Sequence, residues 1–166
     1  MCGELRKENI GEEVVLNGWI QKRRNLGGLI FCDVRDKTGI TQVVFNDEIP
    51  QELFDKADRL RSEYVVGVKG VVRERSARNA NIATGDIEVK AEDLIIYSTA
   101  DTPPIYIRDD DNVDDNLRLK YRYLDLRKLK MQKNLTFRHK VVKLARDYFD
   151  ENGFTEVETP MLIRST

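Results

Sequence analysis

Alternating hydrophobic and polar positions predict five β-strands within the first 97 residues. The predicted strands are residues 13–24, 29–36, 39–45, 64–75 and 87–97. Between the third and fourth strands, residues 50–63 have a helical pattern that places Leu53, Ala57 and Leu60 on one face. The first half of the chain is therefore predicted to be a small β-domain that contains one helix.

The order of these elements indicates the type of β-domain. Three strands, a helix and two further strands are the order of an OB-fold barrel, whereas a five-stranded SH3-like barrel usually lacks such a helix at this place. Short turns at residues 25–28 and 36–39 contain glycine, which supplies the positive φ angles of tight hairpins. We predict a mainly β fold, a five-stranded OB-fold barrel with one helix between strands 3 and 4.

The second half of the chain has a different pattern. Residues 98–116 contain one basic and six acidic side chains, with a proline pair that favours extended backbone. Residues 117–153 contain eleven basic and four acidic side chains and have two helical stretches, the second closed by Gly153. We therefore predict an OB-fold domain at 1–97, an acidic linker at 98–116 and a helical segment at 117–166.

Composition limits the classes of function. The 166 residues are 40% hydrophobic and 34% charged with a net charge of −1, as in soluble globular proteins. Cys2 and Cys32 lack metal-ligand spacing and the chain has one histidine, so we expect no metal site. The chain has neither an apolar run long enough to span a membrane nor a signal peptide at its start, so a cytoplasmic location is the default expectation.

The second predicted strand separates core positions from candidate binding positions. Ile30, Cys32 and Val34 alternate onto one face, which is typical of a core, while Phe31 and Asp33 take the other face. OB-folds bind single-stranded nucleic acid on the face of strands 2 and 3, where bases stack on aromatic rings. Phe31 is thus either a stacking platform or an ordinary packing residue.

Two basic clusters lead into the loops that bind nucleic acid in OB-folds. The first cluster is Lys22, Arg23 and Arg24, and the second is Arg73, Arg75 and Arg78. Guanidinium groups suit bidentate contacts to phosphate. Each cluster taken separately would be read as a solvated strand end, but their position beside both binding loops favours a nucleic-acid groove.

Two further polar residues interrupt hydrophobic strands. Gln42 can donate to and accept from a base edge, and Glu88 points away from the core and could accept protons from guanine. Ordinary exposed strand positions are the alternative for both. His139 is expected on a helix surface, and the sequence shows no Ser-His-Asp set, carboxylate pair or phosphate-binding glycine loop, so we predict no catalytic residue.

Four stretches, residues 23–31, 83–89, 119–127 and 154–160, together resemble the N-terminal part of bacterial-type aspartyl-tRNA synthetases. The last stretch, Phe-Thr-Glu-Val-Glu-Thr-Pro, follows a long helix and resembles the helix, strand and proline of motif 1 in class II synthetases. The resemblance covers almost the whole chain. It implies an anticodon-binding OB domain followed by the first part of a catalytic domain.

The resemblance also implies roles for individual residues. It implies anticodon binding by Arg24, Phe31, Gln42 and Glu88. Secondary tRNA contacts are expected at Lys22, Arg23, Asn25, Leu26, Arg73, Arg75, Arg78 and Asn79. Leu26 belongs to a loop associated with the choice between aspartate and asparagine tRNAs. Pro160 matches the motif 1 proline of the homodimer interface.

The family joins L-aspartate to its tRNA with ATP and magnesium. Its motif 2 and motif 3 residues would lie beyond Thr166, so we expect these 166 residues to bind neither cofactor and to be inactive in aminoacylation. One alternative is a non-enzymatic OB-fold module that binds single strands without sequence preference. Another is an interaction fragment that dimerises through residues 131–166.

Overall fold

The structure, a computed structural model, describes residues 1–162 of the chain. The chain divides into two compact units, Met1–Pro103 and Pro104–Thr166, which are described separately below. Residues 163–166 belong to the predicted segment 117–166 but lie outside the described residues.

The first unit is a closed barrel of five strands. The strands are β1 (Glu13–Asn25), β2 (Ile30–Arg35), β3 (Ile40–Phe45), β4 (Val65–Glu74) and β5 (Ile87–Ser98), with helix α1 (Gln51–Asp58) between β3 and β4 and a short 3-10 turn at Lys7–Asn9. The order around the barrel is β1-β2-β3-β5-β4, with antiparallel pairs except for the parallel pair of β3 and β5. The predicted OB-fold barrel is confirmed.

Strand alternation fills the barrel interior. Ile30, Cys32 and Val34 are completely buried, as the alternation of β2 predicts, and they pack in one core cluster with Phe45. Phe45 has 0% exposure and ranks first by volume among the fully buried side chains. The interior is therefore occupied by hydrophobic side chains, and any binding surface of the barrel lies on its outside.

The turn between β1 and β2 depends on two glycines. Gly27 and Gly28 have φ angles of +60° and +96°, as the two central positions of a type I′ hairpin require. The Leu26 N–H donates to the Leu29 carbonyl oxygen at 2.9 Å across this turn. A two-residue turn fixes the register of β1 against β2 and so determines which side chains share a face.

Helix α1 is shorter than the predicted span of 50–63. The Arg61 side chain caps its C-terminal end, since its Nη1 donates to the carbonyl oxygens of Asp58 at 3.0 Å and Leu60 at 2.8 Å. Leu60 is buried in the core, and Glu63 has left the helix with a φ of 65°. The chain therefore uses the end of the predicted helix to return to the barrel.

The N-terminal residues pack against the turn between β2 and β3 through one carboxylate. Asp36 Oδ2 accepts from the Cys2 N–H at 2.7 Å, and Oδ1 accepts from the N–H groups of Thr38 at 2.7 Å and Gly39 at 3.2 Å. Desolvation raises the pKa of Asp36, but hydrogen bonds from Thr38, Cys2 and Gly39 outweigh it, so the net pKa is lowered. Asp36 is thus held ionised as a structural acceptor.

The second unit contains three helices. They are α2 (Asp115–Lys120), α3 (Arg122–Asp125) and α4 (Leu129–Glu151). The first predicted helical stretch is split at Tyr121, whose φ of −109° and ψ of 45° are not helical. The Asp114 carboxylate caps α2 by accepting from the Asn116 N–H at 2.9 Å, so part of the predicted acidic linker starts a helix.

A buried carboxylate links the two short helices. Asp125 has no exposed side-chain surface and accepts from Arg118 Nε at 3.1 Å and Arg122 Nη1 at 2.7 Å, with Lys128 Nζ at 3.5 Å. The hydrogen bond from Arg118 is the largest cause of its lowered pKa, and it outweighs the opposing effect of burial. Three cations therefore hold this carboxylate in its charged form.

Helix α4 ends at a Schellman motif. Gly153 has a φ of +82°, its N–H donates to the Asp150 carbonyl oxygen at 2.9 Å, and the Phe154 N–H donates to the Phe149 carbonyl oxygen at 3.0 Å. The rings of Phe149 and Phe154 pack edge to face, with centroids 5.6 Å apart. Gly153 thus terminates the helix as predicted.

Residues 154–160 do not form the strand that the sequence predicted. They have no ladder hydrogen bonds in the described part of the chain, and a strand exists only against a partner.

Along α4 several large apolar side chains are solvent-exposed, including Phe137 at 69% and Leu144 at 70%. No helix among residues 1–162 is both long enough and apolar enough to cross a membrane.

Candidate nucleic-acid interface

Six side chains from all five strands meet on the outside of the barrel. They are Arg24 on β1, Phe31 and Asp33 on β2, Gln42 on β3, Arg73 on β4 and Glu88 on β5, and they are called the polar face below. Strand register brings them together, since Arg24 is paired with Phe31, Asp33 with Gln42 and Arg73 with Glu88. Directly paired residues point to the same side of a sheet.

A chain of hydrogen bonds connects the polar face. Arg24 Nη2 donates to Gln42 Oε1 at 3.1 Å, and Gln42 Nε2 donates to Glu88 Oε2 at 2.8 Å. Arg73 Nε donates to Glu88 Oε1 at 2.8 Å. Gln42 and Glu88 are each only 3% exposed, so they are not the ordinary solvated strand positions that the sequence left open. Hydrogen bonds between buried polar groups of neighbouring strands hold these side chains in a fixed geometry.

Phe31 lies outside the core cluster and is half-buried, unlike its neighbours Ile30 and Cys32. The guanidinium carbon of Arg24 is 5.8 Å from the centroid of the Phe31 ring. An aromatic ring on the outside of an OB barrel, beside an arginine, is suited to stack against a base. The structure therefore places Phe31 on the polar face of the barrel, outside its core.

Asp33 was not among the predicted binding residues, although its alternation with Phe31 marks the same face. Burial raises the pKa of Asp33, and the positive charges of Arg24, Arg75 and Lys22 lower it by less, so the net pKa is raised. Arg24 Nη2 is 3.4 Å from Asp33 Oδ1. Asp33 thus helps to orient Arg24 between β2 and β3.

The structure does not bring Arg23 and Asn25 into the polar face. Arg23 is paired in register with Cys32 and so points to the core side of β1, where it forms an ion pair with Asp58 of α1. Asn25 Nδ2 donates to the same carboxylate at 2.9 Å. Alternation separates these two side chains from Arg24, and they attach helix α1 to β1.

The other predicted secondary contacts lie at the margins of the polar face. Lys22 is opposite Asp33 in register, and Leu26 is exposed in the β1–β2 hairpin. Arg75 follows β4, and Arg78 Nε is 2.6 Å from Asp86 Oδ1.

Asn79 is used within its own loop. Its N–H donates to the Gly85 carbonyl oxygen at 3.0 Å, and its Oδ1 accepts from the Asn81 N–H at 3.0 Å. Asn79 therefore shapes the loop between β4 and β5. Its side-chain nitrogen, Nδ2, is the group left for an outside partner.

Lys90 is a further cation on this side of the barrel and was not among the predicted contact residues. It lies two residues after Glu88 on β5, pairs in register with Val44 and forms an ion pair with Glu48. The period-two alternation of β5 is the signal that would have found it.

The remaining candidate chemistry is not assembled into a reactive site. Among residues 1–162, no group of three or more His, Cys, Asp and Glu side chains could hold a metal ion. Burial raises the pKa of both Cys2 and Cys32 to about 12, so neither thiol is a nucleophile at neutral pH. His139 is exposed on α4, and Pro160 is exposed in the segment after it.

Comparisons with known families agree with this geometry. Residues 14–97, about half of the chain, match the family model of the OB-fold nucleic acid binding domain that carries the name tRNA anti-codon. Residues 114–166 match the model of class II tRNA synthetases of the D, K and N types.

Curated relatives and solved structures give the same result. An aspartate–tRNA ligase of Clostridium botulinum strain Langeland is 54% identical over 166 residues, which cover 100% of this chain and 28% of that relative. The asparaginyl-tRNA synthetase of Pyrococcus horikoshii, solved with asparaginyl-adenylate, superposes with a TM-score of 0.82 at 30% identity, over 98% of this chain and 36% of that one. The aspartyl-tRNA synthetase of Entamoeba histolytica shares the fold, with a TM-score of 0.86 at 18% identity over 94% of this chain and 38% of that one. The resemblance predicted from the sequence is confirmed, and the chain spans about 28% of the length of the curated relative.

Proposed function

Since the chain belongs to the family of OB-fold nucleic acid binding domains, we propose that its polar face reads the anticodon loop of an aspartate tRNA. The observation that supports this most directly is the hydrogen-bonded run from Arg24 through Gln42 and Glu88 to Arg73, with Phe31 beside it. A stacking ring next to fixed donors and acceptors is what recognition of unstacked bases requires.

Each residue has a distinct chemical part in this proposal. Phe31 stacks on one anticodon base, which is worth about 1–3 kcal/mol. Arg24 and Gln42 offer N–H donors to base edges, and Glu88 accepts protons from a guanine. Lys22, Arg75, Arg78, Asn79 and Leu26 are proposed as secondary contacts at the margin. Arg23 and Asn25 are proposed to act indirectly, by fixing α1 against β1 beside the hairpin.

We propose aspartate–tRNA ligation as the activity of the longer protein to which this chain corresponds. ATP with magnesium would supply the activation of the aspartate carboxylate there, in the cytoplasm. For the chain itself we propose tRNA binding, in line with the OB-fold match at residues 14–97. A homodimer contact that includes Pro160 is proposed for the longer protein from the class II match at residues 114–166.

Binding to an anticodon stem-loop tests the proposal. A labelled RNA hairpin of about 17 nucleotides, with GUC at the anticodon positions of its loop, is titrated with the unaltered chain and with Phe31→Ala at two salt concentrations. We expect Phe31→Ala to weaken binding by about 1–3 kcal/mol for the cognate loop. Tyr97→Ala is the matched control, because Tyr97 is an exposed aromatic of the same barrel outside the polar face, and it should bind as the unaltered chain does.

A hairpin with a scrambled loop separates the two candidate functions. Equal affinity for the GUC and scrambled loops, with a steep dependence on salt, would favour a non-enzymatic module that binds single strands generally. Preference for GUC that Phe31→Ala removes would favour anticodon recognition.

A further inference from the structure

Arg73, which lies on β4, and Arg75, which directly follows that strand, have different environments. Arg73 is directly opposite Glu88 in the β4–β5 register, and its Nε donates to Glu88 Oε1 at 2.8 Å. Arg75 lies two residues further along, and its Nη1 is buried with no hydrogen-bond partner among the described residues. The sequence pattern predicted both as secondary contacts, but of the two only Arg73 forms an ion pair with Glu88, at 2.8 Å.

We propose that Arg73 is a positioning residue that acts through Glu88, a role that rests on the proposed anticodon-binding function. Arg73 and Gln42 each donate to one oxygen of the Glu88 carboxylate, at 2.8 Å in both cases. Two donors, one from each of the strands β3 and β4 that flank β5, fix the plane of the carboxylate. The residue that reads the base is then Glu88, and Arg73 sets where its oxygens lie.

Burial explains why Glu88 needs this partner. Its side chain is 3% exposed, whereas that of Arg73 is 40% exposed. A buried carboxylate without a cationic partner is unfavourable. The charge-assisted hydrogen bond from Arg73 supplies that partner at this position.

The remaining acceptor capacity of Glu88 indicates the kind of base. A carboxylate has about four acceptor sites, and Arg73 and Gln42 use one on each oxygen, so one site on each oxygen remains. Two adjacent acceptors match the N1–H and 2-amino groups on the Watson–Crick edge of guanine. Adenine has an acceptor at N1, so it cannot make this pair of contacts.

The test compares hairpins that carry guanine, inosine or adenine at the first position of the GUC loop. We expect Arg73→Gln to weaken binding of the guanine hairpin on the order of 10-fold, the discrimination that one good bidentate contact provides. Binding of the adenine hairpin, which lacks that contact, should change little, and the salt dependence should stay as in the unaltered chain. Arg73→Lys keeps the charge without the Nε geometry and should recover part of the guanine preference.

A double-mutant cycle decides whether Arg73 acts through Glu88. In a Glu88→Gln background, Arg73→Gln should cause no further loss, because the group that it positions has been removed. Arg75→Gln is the matched control, and we expect it to weaken all three hairpins equally and to reduce the salt slope by about one. Thermal unfolding checks that each variant is folded, and if Arg73→Gln unfolds the barrel, Arg73→Lys carries the comparison.

Two results would overturn the proposal. If Arg73→Gln weakens all hairpins equally and reduces the salt slope, Arg73 contacts phosphate directly. If its loss adds fully to that of Glu88→Gln, the two residues act independently. Failure of anticodon recognition itself would appear differently, as an unaltered chain that does not distinguish GUC from a scrambled loop.

Discussion

The barrel and the helical unit place their large hydrophobic side chains in opposite environments. Phe45 of the barrel is 0% exposed, whereas Phe137 of α4 is 69% exposed. Every barrel strand is paired on both sides, so the sheet has no open edge. Helix α4 is held by local contacts such as the Lys143–Asp147 ion pair and the Schellman turn. The barrel therefore has a core of its own, and the stability of the two units should respond differently to the same kind of change.

The largest difference is expected for a buried against an exposed phenylalanine. Phe45→Ala removes a fully buried ring from the barrel core and should lower the free energy of unfolding by about 3–5 kcal/mol. Phe137→Ala is the matched change on α4, and it should alter the free energy of unfolding by less than about 0.5 kcal/mol. Urea unfolding followed by tryptophan fluorescence and circular dichroism measures both. Equal losses in the two variants would contradict the contrast between the units.

Acid should weaken both units, through a different carboxylate in each. The pKa values of Asp36 in the barrel and Asp125 in the helical unit are lowered in the folded state. A lowered folded pKa contributes stability above the unfolded pKa of about 3.9, and this contribution is lost as the pH falls through the folded pKa. We expect Asp36→Asn to lower the free energy of unfolding by on the order of 1–2 kcal/mol at pH 7, a modest loss because the carboxylate is partly solvated. The loss should be smaller near pH 3, where the carboxylate of the unaltered chain begins to bind a proton.

Two-dimensional NMR between pH 6 and pH 2.5 follows the acid response of each unit separately. Asp125→Asn should reduce the acid response of signals from α2 and α3, and Asp36→Asn that of signals from the β2–β3 turn. Asp33 should change the stability of the barrel with pH in the opposite direction, because its pKa is raised. Its ionised form lowers the free energy of unfolding, and that loss is recovered as the pH falls. Asp33→Asn should therefore leave the barrel as stable as before or more stable at neutral pH.

A contrast in where the cost appears is expected from two glycines with similar backbone angles. Gly27→Ala and Gly153→Ala each place a Cβ at a positive φ, +60° and +82°, which costs about 1–2 kcal/mol. In the barrel this cost should appear in the global free energy of unfolding, because the hairpin sets the register of β1 and β2. In α4 it should appear only as faster amide hydrogen exchange in the last helical turn. A global loss from Gly153→Ala would show that the helix end is coupled to the barrel.

The sequence pattern predicted the barrel well because strand alternation and glycine turns are local signals. The five strands, their core faces and the hairpin at Gly27 and Gly28 follow from neighbours in sequence. The early end of α1 could not be predicted from the helical pattern, which does not reveal that the Arg61 side chain caps the Asp58 carbonyl oxygen. The strand expected at residues 154–160 is not formed, because a strand requires a second segment to pair with and the pattern of one segment does not reveal that partner.

The arrangement of the polar face was predicted in part for the same reason. Arg24 and Phe31 follow from alternation and from the loops of the OB-fold. The opposite orientation of Arg23 also follows from alternation, but the run of three basic residues concealed it. The burial of Gln42 and Glu88 depends on arginines from other strands, which no spacing along the chain reveals.

The position of β5 in the barrel has a consequence for synthesis on the ribosome. β5 (Ile87–Ser98) is the last barrel strand to be made, and it pairs with both β3 and β4. Until it emerges, those two strands carry open edges that can pair with other chains. Closure therefore waits for contacts between residues far apart in sequence, which are slow to form. A nascent chain that stalls before residue 87 would be exposed to aggregation, whereas one that has cleared Ser98 can complete its barrel while the helices are still being translated.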